Sequence, residues 1–391
     1  MDFIIMLIFV SIGILLLIIK NIQKRNLILE RNKENNNKFC ILIPARYESK
    51  VIENLLISIK YQTVKVNPRD IYIIVESLED KTCDIVKKYN MNIILREKLD
   101  LKRKGYALEE AFDYLKKKNK IYDLYFIFDA DNVLDKHFIK EMLITYKNGY
   151  DIACGYRALK NKKFNLYAYS SILSFSLLNT VANQGKSKNN LSILLSGTGF
   201  YFSKKVIKNG YNFHNLTEDY ELSLYSIINN FSSTYNPKAI YYDEQPEDYK
   251  TTVTQRVRWI KGYFESRKKY MKKFRKNLFS KHLNRESIID EYIGMMPYFV
   301  MGFGSFLFII LNLIKLKIIN ILLLFIFVYY ILMLITIYLL FKEKDNIKLS
   351  LKYKILVIFY NPLFILSYIL CFFKAICTKN VEWKRIDHNN K

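Results

Sequence analysis

Two aspartates separated by one residue, Asp129 and Asp131, directly follow the apolar run Tyr125–Phe128. A short apolar run rich in aromatics is typical of a buried strand, and open α/β sheets bind ligands at the carboxyl ends of their strands. Two carboxylates at that edge would offer hard oxygen ligands to Mg²⁺ or Mn²⁺, which can bridge to a diphosphate. An Asp-x-Asp pair also arises by chance in a chain with 36 acidic residues. Other motifs in the chain must therefore show whether this pair is a metal site.

A second carboxylate pair, Glu218 and Asp219, follows Thr217 at the predicted start of a helix over 220–228. One of the two could act as the general base that takes a proton from an acceptor hydroxyl, and we assign Asp219 to that role. The structural alternative is capping, since acidic residues at a helix N-terminus compensate free N–H groups and the helix dipole. If Asp219 is the base, Thr217 or Glu218 must serve the helix end.

A third set of residues, Gln255, Arg258 and Trp259, lies in a stretch predicted to form one or two basic helices over 253–278. Gln255 and Arg258 are three residues apart and share a helix face, with Trp259 beside them. Arginine can hold a diphosphate bidentately, and the tryptophan ring offers a flat surface to a sugar. The alternative is a basic helix at a membrane surface, which Arg267–Lys281 resembles.

The elements that must position these residues alternate between strand and helix patterns. Strands are predicted from Phe39 and at 71–75, 92–95, 124–128, 152–155 and 194–202. Helices are predicted at 51–61, 82–89 (with Thr82 as N-cap), 106–117, 138–146, 167–181, 220–228 and 253–278, and a loop at 241–249. Such alternation indicates an α/β fold with a mainly parallel sheet.

Composition narrows the classes of protein. The net charge is +25, but lysines are spread along the whole chain and no zinc-finger or RNA-recognition spacing accompanies them, so we expect no nucleic-acid partner. The five cysteines include no C-x-x-C pair, which argues against a disulfide framework. The four histidines lack metal-ligand spacing.

The apolar residues are distributed unevenly, and this predicts three regions. Residues 1–20 form a membrane anchor, 39–285 a cytoplasmic catalytic domain, and 286–378 a C-terminal membrane domain. Segments 294–314, 318–341 and 355–377 are each long enough to span, but three spans would place the basic tail 379–391 outside. Either the segment containing Pro362 is re-entrant or interfacial, or the first segment does not fully cross.

Taken together, the motifs resemble those of the membrane-bound family 2 glycosyltransferases, the group containing cellulose, hyaluronan and poly-N-acetylglucosamine synthases. The matching pieces follow the family's order. They are Ile43–Glu48, Lys104–Leu108, Asp129–Asp131, Gly197–Phe200, Thr217–Asp219, Glu244–Pro246 and Gln255–Trp259. The resemblance implies a GT-A-like nucleotide-sugar-binding domain plus α-helical transmembrane segments.

The resemblance also implies a role for each matching position. Donor and nucleotide contacts would come from Pro44, Arg46, Glu48, Glu76, Lys104 and Asp129. Asp131 and Asp129 would hold Mg²⁺ or Mn²⁺. The acceptor and the diphosphate would be bound by Gly197, Thr198, Gly199, Gln255, Arg258 and Trp259. Asp219, beside Glu218, would be the catalytic base.

One stretch departs from the family pattern. Where the family has an aspartate for the uracil ring, followed by Gly-Ser, this chain has Glu76 and no Gly-Ser pair. Glutamate can still accept a hydrogen bond from a base N–H, but its extra methylene changes the reach. A uridine diphosphate sugar remains the default donor.

We therefore expect an inverting glycosyltransferase that crosses the cell membrane several times. It would add sugars processively to a polysaccharide, and an accessory subunit is a further expected partner. The close alternative is single addition to a membrane lipid acceptor. A catalytically inactive, membrane-tethered nucleotide-sugar-binding protein is the alternative from another class. A transporter is disfavoured because the apolar cores of 294–314 and 318–341 carry no ionisable residue.

Overall fold

A computed structural model describes residues 37–279, 284–293 and 296–378, together with positions 8, 11 and 12. The anchor predicted over 1–20 therefore lies outside the described residues, apart from those three positions. The basic tail 379–391 lies outside them as well.

The central element is one eight-stranded sheet in the order β3-β2-β1-β4-β7-β6-β8-β5. Its strands are β1 (Phe39–Pro44), β2 (Ile71–Val75), β3 (Asn92–Leu95), β4 (Leu124–Ile127), β5 (Val133–Leu134), β6 (Ile152–Leu159), β7 (Phe200–Ser203) and β8 (Ser233–Asp243). Strands β3, β2, β1 and β4 are mutually parallel, and β6 is parallel to β8. Strand β7 runs antiparallel to β4 and β6, and β5 runs antiparallel to β8. The prediction of a mainly parallel α/β sheet is confirmed.

Helices cover both faces of this sheet and continue beyond it. They are α1 (Ile52–Lys60), α2 (Thr82–Lys88), α3 (Lys104–Lys117), α4 (Phe138–Lys147), α5 (Leu166–Ser176), α6 (Gln184–Lys188), α7 (Glu218–Ile228), α8 (Tyr249–Leu278), α9 (Arg285–Ile293), α10 (Met296–Ile314), α11 (Ile318–Lys342) and α12 (Leu351–Cys377). A π-helical stretch, Leu177–Asn183, joins α5 to α6, so the single helix predicted over 167–181 is wrong in its second part.

Three further local predictions are wrong. The strand predicted over 194–202 begins only at Phe200. Helix α2 begins at Thr82 itself, whose Oγ1 accepts the N–H of Glu48 at 3.0 Å rather than capping the helix. Strand β8 continues to Asp243 where a loop was predicted, because the ring of Tyr241 is buried in the core against Phe138.

The core lies on both faces of the sheet, as alternating residues of each strand show. On β1, Cys40 and Leu42 join one apolar cluster while Ile41 and Ile43 join the other. On β4, Phe126 shares the second cluster. Burial on both faces explains why these strands read as continuous apolar runs.

Three of the parallel strands end side by side at the edge that carries the polar residues. Strand β1 leads to Arg46, β2 to Glu76 and β4 to Asp129. Because parallel strands share one carboxyl edge, residues far apart in sequence meet there.

Two helices among the described residues, α11 and α12, are long and apolar enough to cross a membrane. Helix α10 contributes a shorter apolar stretch, Gly304–Ile314. Pro362 lies inside α12 without ending it.

Candidate functional site

A cavity of about 550 Å³ lies over the carboxyl edge of the sheet. Most residues singled out from the sequence line it, namely Pro44, Arg46, Glu48, Glu76, Lys104, Asp129, Asp131, Gly197, Glu218, Asp219, Gln255, Arg258 and Trp259. Thr198 and Gly199 do not line it. They lie behind the Asp-x-Asp turn and shape it.

The turn after β4 is held by the side chain of Thr198, which lies just before β7. The N–H of Asp129 donates to Oγ1 of Thr198 at 2.8 Å, and that hydroxyl donates to Oδ1 of Asn132 at 2.5 Å. Gly199 has φ +67°, and a Cβ there would lie 2.2 Å from the ring of Tyr241, so only glycine fits. Thr198 and Gly199 therefore support the Asp129 turn from behind.

The carboxylates of the turn suit a divalent cation. Asp129 and Asp131 supply hard oxygen donors at the cavity wall. No cluster of three or more His, Cys, Asp or Glu side chains with metal-ligand geometry occurs among the described residues. Two protein carboxylates fit Mg²⁺ or Mn²⁺ because such ions usually complete their shells with phosphate oxygens and water.

Lys104, the first residue of α3, links the Asp129 turn to Glu218 at the start of α7. Its Nζ lies 2.5 Å from Oδ1 of Asp129, 2.7 Å from the carbonyl oxygen of Gly197 and 3.7 Å from Oε1 of Glu218. Burial alone would lower the pKa of Lys104, but Asp129 and Glu218 outweigh it, so the pKa is raised. Lys104 therefore remains a cation between two carboxylate pairs.

The pair Glu218 and Asp219 begins α7 and faces the cavity. Burial raises the pKa of Glu218 to about 7, although Lys104 opposes the shift, and burial also raises the pKa of Asp219. Thr217 precedes the helix without a side-chain capping bond. Two carboxyls with raised pKa values at one cavity are what proton transfer near neutral pH requires.

Helix α8 packs closely against the start of α7 at Gly262. A Cβ on Gly262 would lie 2.4 Å from Oγ1 of Thr217 and 2.7 Å from its backbone nitrogen. Because of this close approach, α8 can deliver Arg258, whose Nη1 donates to the carbonyl of Leu216 at 3.2 Å. Trp259 packs edge-on against Phe175 of α5, with ring centroids 5.7 Å apart.

At the other end of the cavity, Glu76 is held between two arginines. Nε of Arg46 lies 2.7 Å from Oε2 of Glu76, and Nη1 of Arg96 lies 3.3 Å from Oε1. Arg96 also pairs with Glu110 at 3.0 Å. Both oxygens of Glu76 are thus engaged, and its orientation is fixed by partners that the sequence did not reveal.

Arg157 also lines this cavity, and the sequence motifs did not identify it. It is buried on β6, donates from Nε to the hydroxyl of Tyr241 at 2.8 Å, and pairs with Asp243 at 3.3 Å. Its guanidinium lies over the ring of Phe175 at 3.9 Å. Burial would lower the pKa of Arg157, but Tyr241 and Asp243 outweigh it and raise it. An arginine within an otherwise apolar strand was the available signal, since buried charges require partners.

This sheet, with paired carboxylates at its carboxyl edge and an Arg–Trp helix across the cavity, defines a glycosyltransferase of the GT-A type. The family model described as "Glycosyltransferase like family 2" matches residues 36–262. The chain belongs to this family and is an enzyme, as the resemblance predicted.

Its curated relatives are distant. The "Probable glycosyltransferase YdaM" of Bacillus subtilis (strain 168) is 25% identical over 70% of this chain and 65% of its own length. The poly-beta-1,6-N-acetyl-D-glucosamine synthase of Staphylococcus epidermidis is 24% identical over 74% of this chain and 70% of its own length. The match to YdaM thus spans just under two thirds of that relative.

A solved structure shares the fold over nearly the whole chain. The mannosyltransferase PcManGT of Pyrobaculum calidifontis, determined with GDP-Man and Mn²⁺, superposes with a TM-score of 0.55 at 11% identity. The superposition covers 97% of this chain and 96% of that one. At this identity the likeness concerns the fold alone.

Proposed function

We propose that the protein transfers a sugar from a nucleotide-sugar donor to a glycan or lipid acceptor at a membrane, with inversion at the anomeric carbon. The observation that carries the proposal is the position of Lys104, which lies between Asp129 on the donor side and Glu218 on the base side of one cavity. A single cavity that places a diphosphate site beside a base suits direct displacement.

In the proposed reaction, the acceptor hydroxyl oxygen bonds to the anomeric carbon while the bond from that carbon to the phosphate oxygen breaks. The diphosphate leaves with the bonding electron pair, and the hydroxyl proton passes to Asp219. A divalent cation held by Asp131 and Asp129 would, when bound, neutralise the leaving diphosphate. Lys104 and Arg258 add fixed positive charge on either side.

The donor nucleotide is proposed to lie at the Arg46 and Glu76 end. Glu76 can accept from a base N–H while Arg46 and Arg96 hold its carboxylate in place. A uridine diphosphate sugar is the first donor to test, and a guanosine diphosphate sugar is the second because PcManGT binds GDP-Man. Gly197, Gln255 and Trp259 would line the acceptor side.

For the product we favour a polysaccharide made by repeated addition, in keeping with the polymer-forming relative of Staphylococcus epidermidis. We propose that the catalytic domain lies on the cytoplasmic side, where nucleotide sugars are available. An accessory subunit is a further candidate partner. Single addition to a lipid remains the second candidate, because the cavity reaches Tyr368 on one of the two apolar helices, α12.

The test uses membranes that contain the full chain, a panel of labelled nucleotide sugars, and Mg²⁺ or Mn²⁺. Incorporation lost on chelation and restored by the ion would support the metal site, and product size would separate polymer from single addition. The Asp219→Asn variant should lose transfer while donor binding survives. Full turnover in that variant would remove Asp219 as the base.

A further inference from the structure

Helix α12 is covered along one face for most of its length. Apart from Pro362, its buried residues lie three, four or seven positions apart, at Val357, Asn361, Phe364, Cys371 and Ala375. This spacing marks a single helical stripe, about 27 Å long at 1.5 Å per residue.

The first part of the stripe contacts α11. Nδ2 of Asn361 donates to Oγ1 of Thr336 at 2.8 Å, and the hydroxyl of Tyr329 donates to the carbonyl of Phe359 at 2.8 Å. Thr336 and Tyr329 are about 10 Å apart along the axis of α11. Their partners on α12, Asn361 and Phe359, are only two residues apart. The two helices therefore cross, whereas two neighbouring spans of a hairpin would run side by side.

The second part of the stripe contacts the catalytic domain. The guanidinium of Arg256, on α8, lies between the rings of Phe364 and Tyr368, 3.8 Å from each centroid. It also donates to the carbonyl of Phe364 and to Oγ of Ser367, both at 2.8 Å. Further along, Cys371 packs with Val257. Arg256 thus fixes α12 to the helix that carries Gln255, Arg258 and Trp259.

The segment of α8 beside this part of α12 cannot enter hydrocarbon at low cost. It carries Arg256, Arg258, Lys261 and Glu265 within ten residues. Each charge placed at the centre of a bilayer is strongly unfavourable. A transmembrane α12 would bring these charges into the bilayer with it.

The start of α12 is also tied to the catalytic domain. Glu343, at the end of α11, is fully buried and accepts the hydroxyl of Tyr156 of β6 at 2.6 Å. The ring of Tyr353 stacks on Phe164 with centroids 3.9 Å apart. Both ends of α12 therefore lie against the domain that holds the cavity.

Apart from Lys352 and Lys374 near its ends, the opposite face of α12 is apolar and exposed. It presents Leu363, Ile369, Leu370, Phe373 and Ile376. We propose that α12 does not cross the membrane but lies in its surface on the catalytic side, with this face in the headgroup–acyl boundary. Lipid is the occupant because the face continues from α11, whose exposed residues are also apolar along its whole length.

Sidedness is the first test, and the chain carries its own reporter. Cys377 ends α12 and is exposed, while the other four cysteines are buried. A membrane-impermeant thiol reagent should label Cys377 in inverted vesicles and not in intact right-side-out ones. In a Cys377→Ser background, Asp345→Cys in the α11–α12 loop should label like Cys377, and Leu316→Cys in the α10–α11 turn should show the opposite sidedness.

Labelling of Cys377 with the sidedness of Leu316→Cys would overturn the proposal, because α12 would then cross. Protection of Cys377 from both sides in membranes, with full reactivity in detergent, would also contradict it. Neither result depends on sugar transfer, so failure of the proposed function would leave this test intact.

Depth is the second test. Tryptophan replaces Leu363, near the middle of α12, and in a matched control it replaces Tyr330, near the middle of α11; both residues are exposed. Lipids brominated near the headgroup should quench Leu363→Trp more strongly than lipids brominated near the bilayer centre, and Tyr330→Trp should show the reverse. Stronger quenching of Leu363→Trp by deep bromines would indicate a span, and no quenching by either would indicate a protein-covered face; both would refute the proposal.

Discussion

Nζ of Lys104 lies 2.5 Å from Oδ1 of Asp129, so the Asp-x-Asp turn already has a cation beside it. The same ammonium reaches Glu218 and the carbonyl of Gly197. Three motifs that are far apart in sequence thus share one positive charge. A divalent cation held by Asp129 and Asp131 would therefore share the Asp129 carboxylate with Lys104.

The first prediction concerns this shared charge. Lys104→Met should lower kcat/KM by about a hundredfold or more, since it removes fixed positive charge from both the leaving group and the buried carboxylates. Lys104→Arg is the matched control and should keep most donor binding. Steady-state kinetics and nucleotide titration measure both effects. Unchanged kcat/KM in Lys104→Met would show that the ion pair is structural only.

The second prediction concerns pH. Burial raises the pKa values of Glu218, to about 7, and of Asp219, so the base is protonated in acid. Transfer should therefore rise with pH through the neutral range and level off in mild alkali. Glu218→Gln removes one of the two negative charges and should shift this rise to lower pH. A pH profile of kcat in both proteins checks the direction, and a shift to higher pH would contradict it.

The third prediction concerns stability. Because the folded pKa of Glu218 lies above its ordinary value of 4.5, ionisation favours the unfolded chain as pH rises from 4.5 to about 7. Glu218→Gln should stabilise the protein by about 2 kcal/mol near pH 8, with the gain shrinking towards zero as the pH approaches 4.5. Thermal unfolding in detergent at the two pH extremes measures it. An equal gain at both would rule out titration as the cause.

The fourth prediction concerns the buried pair Arg157 and Asp243. Arg157→Met leaves the Asp243 carboxylate buried without its partner and should cost about 3 kcal/mol of stability. The double variant Arg157→Met/Asp243→Asn should recover part of that loss, because the uncompensated charge is gone. Thermal unfolding of the four proteins forms a double-mutant cycle. Strict additivity would show that the two side chains do not interact.

The fifth prediction concerns donor choice. Glu76→Gln keeps the shape but removes the charge that Arg46 and Arg96 hold. We expect donor affinity to fall about tenfold with kcat nearly unchanged, because the contact is distant from the reacting bond. Competition by UDP and GDP in both proteins measures base selectivity. An unchanged ratio of the two inhibition constants would exclude Glu76 from base recognition.

Much of the sheet was predictable because β1, β2 and β4 are buried on both faces and therefore stand out as apolar runs. The pattern located β2 and β3 at their observed bounds. Most of the predicted site residues line one cavity, and those that follow β1, β2 and β4 meet there because parallel strands share one edge. Strand β8 was not predicted at all, and its end was predicted as a loop because Tyr241–Asp243 leads into an acidic stretch.

Pairings between distant residues could not be predicted. Nothing local in Glu76 indicates that Arg46 and Arg96 engage both of its oxygens, and Arg157 finds Asp243 only across β6 and β8. The sequence of α12 predicts a membrane span, because length and apolarity do not reveal which neighbour covers a face of the helix. The contacts of Arg256 with α12 are visible only in the folded structure.

The cavity is lined both by Arg46 and Glu76, where we propose that the nucleotide binds, and by Tyr368 on α12. With α12 lying in the membrane surface, the two substrates arrive from different phases, the donor from water and the acceptor from the lipid layer. The rate would then follow the mole fraction of acceptor in the bilayer rather than its amount per volume. Diluting the acceptor with inert lipid at constant total acceptor would slow transfer, as in other reactions confined to two dimensions.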